Sequence, residues 1–139
     1  MNIKRYFLSG LAVFVFFFLA EFLIHAVYLS GPYEAVPNLL RAEGDESGFF
    51  AWLTIAYLIL ALAFAYIFTR GYQGRGIREG ARYGVLIWLV AALPTSLVDY
   101  AVQPWPASIV GTWIVASLIE MVVAGVLLSL IYRPKAAAG

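Results

Sequence analysis

Residues 20–28, AEFLIHAVY, place Glu21 and His25 four positions apart inside a long apolar run, and His25 is the only histidine in the chain. On a helix that spacing stacks a carboxylate and an imidazole on one face, a turn apart. Two chemistries suit such a couple. A carboxylate beside an imidazole can take up and pass on a proton near neutral pH. The same groups with one more carboxylate can ligate a divalent metal such as zinc, iron or manganese. The further carboxylates in or at the edge of apolar runs are Asp99 and Glu120. Each has hydroxyl neighbours a helical turn or less away, Thr95 and Ser96 for Asp99 and Ser117 for Glu120. The candidate proton or solute site is therefore Glu21, His25, Glu120, Asp99, Ser117 and Thr95, and the candidate metal set is Glu21, His25 and Glu120. Glu-x-x-x-His departs from the Glu-x-x-His spacing of di-iron bundles, which also use two histidines. A haem held by two histidines needs a second chain. The absence of cysteine excludes disulfides, thiolate metal sites, iron–sulfur clusters and cysteine nucleophiles.

The elements that must position these groups are membrane helices. The chain is 63% hydrophobic and 12% charged, with a mean hydropathy of +0.87. Soluble domains carry about 25% charged residues, so lipid is the expected solvent. Four apolar stretches reach the roughly 20 helical residues that a bilayer core demands. They run from about Tyr6 to Ser30, Phe49 to Thr69, Tyr83 to Val102 and Ala107 to Tyr132. Strands of a membrane barrel alternate in polarity and are about half as long. The first stretch exceeds the roughly 7–15 residues of a signal-peptide core and contains Glu21, so it reads as an uncleaved helix. The fold expected is all-α, an integral membrane bundle of four helices forming a single domain over residues 1–139.

Charge sets the expected orientation. Lys4 and Arg5 precede the first span, Arg70, Arg75, Arg78 and Arg82 separate the second and third, and Arg133 and Lys135 follow the fourth. Of nine Lys and Arg residues only Arg41 falls in the opposite loop, which carries Glu34, Glu43, Asp45 and Glu46. The positive-inside rule then places both termini in the cytoplasm. Tyr28, Tyr33, Tyr100 and Trp105 would mark the outer interface, and Tyr6, Tyr72 and Tyr83 the inner one. The inner loop GYQGRGIREGARYG lacks the spacing of a phosphate-binding loop and reads as a tight turn whose arginines touch anionic headgroups. PNLLRA in the outer loop is expected to form a short interfacial helix. Nothing beyond the inner arginines suggests nucleic acid.

Helical spacing tests whether the polar groups can meet. Gly10, Phe14, Phe17, Glu21, His25 and Tyr28 share a face, as do Trp88, Ala92, Thr95, Ser96 and Asp99, and Trp113, Ser117, Glu120 and Ala124. The second span offers Thr54, Tyr57, Ala61 and Ala65 and reads as a packing helix. From the outer ends, a rise of about 1.5 Å per residue puts Asp99 roughly 5 Å deep, His25 roughly 8 Å, Glu21 roughly 14 Å and Glu120 roughly 20 Å. The groups form a ladder descending from the outer face. Pro94 interrupts the third span near the level of Glu21, where Thr95 and Ser96 can help re-satisfy the turn. Each group has a plainer reading. Glu21 and His25 can serve as polar glue between helices, a contact that averages about 0.6 kcal/mol in membranes. Asp99 can reach water, while Trp113 and the FVFFF run (residues 14–18) can simply pack or face lipid.

FLIHAVYLSGPY, GYQGRGIREGARYGVLIW and AVQPWPASIVGTWIVASLIEMVVAGVLLSLIY resemble segments of a family of small, uncharacterised bacterial four-helix integral membrane proteins. The resemblance covers most of the chain except the outer loop. It implies a bacterial inner-membrane, multi-pass location and brings no activity or catalytic residues. The functional expectation is a non-enzymatic small membrane protein that binds a partner, lipid or small solute at an outward-facing polar cluster, with proton coupling. The alternatives are a metal-binding protein or metalloenzyme using a divalent metal, and a structural subunit of a homo-oligomer or larger membrane complex.

Overall fold

A computed structural model describes residues 1–41, 44 and 46–133, and these form helices joined by short loops, with no strand among them. Helix α1 (Ile3–Glu21) runs without interruption into a π-helical turn, Phe22–Tyr28. A short helix α2 (Ser30–Glu34) and a 3₁₀ turn (Pro37–Leu39) lead to α3 (Glu46–Gly71). Helix α4 (Ile77–Ile87), a second π turn (Trp88–Ala92) and α5 (Leu93–Val102) make one continuous rod, followed by α6 (Ala107–Ile131). Four rods are long and apolar enough to cross a membrane: Ile3–Tyr28, Gly48–Gly71, Ile77–Val102 and Ala107–Ile131. Their outward surfaces are apolar, with Leu8, Ile59, Val90 and Ile119 exposed. Such a continuous apolar exterior suits lipid rather than water.

Packing between helices in lipid relies on close fit and hydrogen bonds, since lipid tails are as apolar as leucine. The main pairings are α1 with α3 and α4 with α6, with α1 also against α6. One core sits in the half nearer the termini and includes Val13, Phe17, Ala61, Phe64, Ala65, Met121, Ala124 and Leu128. Ala61 and Ala65, expected to permit close approach, are fully buried there. Phe64 packs edge-on to Phe17 at 5.9 Å and lies 4.6 Å from the Tyr83 ring. The Tyr83 hydroxyl turns inward and donates to the Phe64 carbonyl at 2.6 Å. The Arg5 guanidinium donates to the Ile131 carbonyl at 3.3 Å, and the Asn2 amide to the Tyr132 hydroxyl at 3.2 Å. Both chain ends are therefore at the same end of the bundle, as an even number of crossings requires.

The structure corrects several expected boundaries. The third span starts at Ile77, not Tyr83, so much of the supposed inner turn is helix. The turn is only Tyr72–Gly76, closed by Glu79, whose carboxylate accepts the Gln73 amide at 2.5 Å and the Arg75 amide at 2.7 Å. Gly74 and Gly76, both at positive φ, allow that reversal. Gly80 and Gly84 are helix residues, pressed against α6 at Gly125 and Met121. The helix expected over PNLLRA is a single 3₁₀ turn, with Ala42 outside the described residues.

The first span ends its helical run at Tyr28, not Ser30, and its last turns are π-helical. There the Leu29 amide bonds the Ile24 carbonyl at 2.8 Å, one residue beyond the α pattern. The wider turn rotates the face expected from α spacing. Tyr28 is carried outward and left 70% exposed, while Leu29 is buried. Pro94 ends no helix. It lacks the N–H that would bond the Val90 carbonyl, and the second π turn falls just before it. Thr95 and Ser96 bond back to the Ala91 and Ala92 carbonyls at 2.7 and 3.0 Å.

Candidate functional site

The two π turns border a cavity of about 500 Å³ in the half of the bundle away from the termini. All six candidate polar residues line it: Glu21 and His25 from the first span, Thr95 and Asp99 from the third, Ser117 and Glu120 from the fourth. Tyr57 of α3 supplies the fourth wall. Apart from Ser96, the remaining lining is mostly apolar, with Phe17, Leu60, Trp113 and Met121. Its volume falls within the range of small-molecule sites, roughly 300–1,000 Å³.

A chain of hydrogen bonds enters from the outer end. The Trp113 indole N–H donates to the Tyr33 hydroxyl at 2.9 Å. That hydroxyl lies 2.5 Å from His25 Nδ1, and His25 Nε2 lies 3.0 Å from Glu21 Oε2. The donor inventory orders it. An indole can only donate and a carboxylate can only accept. Tyr33 oxygen therefore receives the indole proton and gives its own to Nδ1, leaving the imidazole N–H at Nε2, directed to Glu21. The tautomer follows from these partners. In this state His25 is neutral and Glu21 is the acceptor at the end of the row.

Glu120 continues the row inward. Its side chain is 5% exposed, and its Oε1 receives no hydrogen bond. The Glu21 and Glu120 carboxyls and the Tyr57 hydroxyl line the same cavity, close enough to interact electrostatically. A bond between two carboxyls requires a proton. Ser117, a turn away, is engaged otherwise: it receives the Trp88 indole N–H at 3.1 Å and donates to the Ile114 carbonyl at 3.2 Å. Asp99 sits half-buried on the cavity wall nearest the outer end of α5. Among the described residues, no three His, Cys, Asp or Glu side chains group closely enough to hold a metal ion. Of the set Glu21, His25 and Glu120, His25 contacts Glu21, and Glu120 shares the cavity with them.

Three aromatic members have roles that their places in the sequence do not suggest. Tyr33 reads as an interface marker, Trp113 as packing and Tyr57 as part of a packing helix. The turn at Leu29 and the short helix α2 instead fold Tyr33 back over His25, the two rings within 13° of parallel. Trp105 closes the cluster edge-on to Trp113 at 4.9 Å. The Gly31-Pro32 pair before Tyr33 is the signal in the sequence for such a reversal.

Burial, and to a lesser degree the charge on Glu21, holds the Tyr33 phenol above its ordinary value of 10.0, although the Trp113 hydrogen bond opposes this. Tyr33 thus stays a hydroxyl at neutral pH and remains able to donate. A phenol whose folded pKa is raised contributes stability below the unfolded value and loses it as the pH rises past the ordinary phenol range. Tyr33→Phe is expected to destabilise the protein by about 1 kcal/mol at neutral pH. It should also remove part of the stability loss seen above about pH 10. Thermal unfolding in detergent across neutral to alkaline pH checks both effects. An unchanged alkaline profile in Tyr33→Phe contradicts the assignment. The chain matches no family model, no curated protein and no solved structure.

Proposed function

We propose that the protein is a non-enzymatic integral protein of a bacterial inner membrane, both termini cytoplasmic, that binds a small solute in an outward-open cavity and couples binding to a proton. Its relation to the small four-helix membrane family belongs to the same reading. The observation that carries it is the single cavity in which Glu21, His25, Thr95, Asp99, Ser117 and Glu120 meet. Carboxylates within a span are expensive, at least about 2.5–3.5 kcal/mol each at mid-membrane, and helices that need only packing have no use for three around one void.

Proton movement follows the row. A proton delivered to the Tyr33 oxygen frees the hydroxyl proton to pass to Nδ1 of His25. The imidazole then releases its Nε2 proton to Glu21, and Glu21 can share it with Glu120. Charge is conserved at each transfer, and His25 returns to neutral. Asp99 stands at the cavity's outer wall, where it raises the local concentration of positive species.

The chain has no cysteine, so single thiols report access without background. Thr95→Cys and Ser117→Cys in intact cells should react with a membrane-impermeant methanethiosulfonate added outside, Thr95→Cys faster. A reporter fused after Gly139 should read cytoplasmic, and one inserted near Asp45 external. Reaction only from the cytoplasmic side, or an external Gly139 reporter, sinks the orientation. Two unreactive thiols sink the open cavity.

A further inference from the structure

Glu120 is 95% shielded, one of its carboxyl oxygens is buried without a hydrogen-bond partner, and the residue lines a cavity that no lysine or arginine lines among the described residues. A buried acceptor of this kind carries the full desolvation penalty of the group, larger if it is charged. None of the described side chains satisfies it. We propose that the cavity is a site for a monovalent organic cation, an ammonium-type head on an apolar or aromatic body, with the head between Glu120 and Glu21. The proposal rests on the solute-binding reading above and names its ligand class.

The charge balance at the deep end, between Glu21 and Glu120 and away from Asp99 at the outer wall, selects a single positive charge. The titratable groups facing the site are Glu21 and His25 from the first span, Tyr57 from the second, Asp99 from the third, Glu120 from the fourth and Tyr33 from α2. His25 is neutral when it accepts from Tyr33 at Nδ1 and donates to Glu21. One proton between Glu21 and Glu120 leaves one negative charge at the deep end. A monocation neutralises it, and so does a second proton. Cation and proton therefore exclude one another, and entry of the cation releases the second proton outward along Glu21 and His25. Negative solutes meet three carboxyls and no fixed cation.

The walls select the body. A bare metal ion would fill a small part of about 500 Å³, and no three-ligand group is present among the described residues. Phe17, Leu60 and Met121 offer apolar surface, and the aromatic rings of Tyr57 and Trp113 on the cavity wall suit a desolvated cation. An ammonium head supplies the N–H donors that Glu120 Oε1 lacks.

An isosteric charge series tests the proposal. Benzylammonium, benzyl alcohol and benzoate share a ring and differ in charge. Titration calorimetry of the purified full chain in detergent at neutral pH should give benzylammonium at least about tenfold tighter binding than benzyl alcohol, with no binding of benzoate. Its affinity should fall as the pH is lowered. Its heat should vary with the ionisation enthalpy of the buffer, the sign of proton release. Glu120→Gln should reduce benzylammonium to the affinity of the alcohol, and Glu21→Gln should weaken it independently. Equal affinity for the alcohol, preference for benzoate, or full discrimination retained in Glu120→Gln overturns the cation assignment. Failure of all three probes to bind at millimolar concentration also overturns it. In each case Thr95→Cys accessibility judges the open cavity separately.

Discussion

Gly84→Ala is expected to lower the thermal midpoint in detergent more than any other single added methyl group. Helices α4 and α6 touch through their backbones at this crossing. A Cβ on Gly84 would fall on the Met121 carbonyl and press on the Val122 backbone. These atoms cannot step aside as a flexible side chain does. One turn away, Gly80 and Gly125 meet in the same manner, so α6 cannot tilt to relieve the clash without creating another. Overpacking costs about 1–3 kcal/mol in cores that can shift, and more where backbone blocks backbone. The displaced segment includes Met121, next to Glu120, so the damage should extend to the cavity. Gly111→Ala is the control, since nothing lies near its added Cβ. It should change stability by no more than about 1 kcal/mol, in the direction of helix propensity. Similar melting curves for the two variants would show that the α4–α6 contact is not as close as described.

Glu120→Gln is expected to leave the empty protein at least as stable as wild type while removing its affinity for cations. The amide replaces a carboxyl of the same shape and carries an N–H donor at any pH, where the native carboxyl has a donor only when protonated. Glu120→Ala removes the same charge but supplies no donor and enlarges the void, so it should be less stable than Glu120→Gln by about 1–3 kcal/mol. Stability kept where binding is lost is expected of a site residue. Thermal unfolding of wild type, Glu120→Gln and Glu120→Ala without ligand gives the order. A Glu120→Gln protein as damaged as Glu120→Ala would mean that the native carboxylate has a cationic partner in the empty state.

The membrane class and the four spans follow from length and hydropathy alone, because a bilayer core requires about 20 apolar helical residues whatever the packing. The polar positions are equally plain in the sequence. Glu21, Asp99 and Glu120 stand out against apolar neighbours, and the i, i+4 spacing already pairs Glu21 with His25 as the structure does at 3.0 Å. Boundaries are less legible. GYQGRGIREGARYG reads as a loop because glycine has poor helix propensity. In a tightly packed helix pair glycine is instead the residue that lets two backbones touch, and Gly80 and Gly84 serve that purpose. No residue in FLIHAVY announces a π turn. Its register depends on what the neighbouring helices and the returning Tyr33 demand.

Sequence by itself determined the solvent, the number of crossings, the side on which the basic residues gather and the small set of groups with chemistry to offer. Each of these depends on residue type and local period. Beyond the Glu21–His25 pair, tertiary structure alone decided which of those groups meet. The two π turns rotate Tyr28 outward and open a space between the spans. The Gly80, Gly84 and Gly125 contacts hold α6 close against α4, and Glu120 of α6 and Glu21 line one cavity. Tyr33, distant from Trp113 in the chain, closes the row from outside. Such meetings depend on helix rotation and separation, which no spacing within one helix can specify.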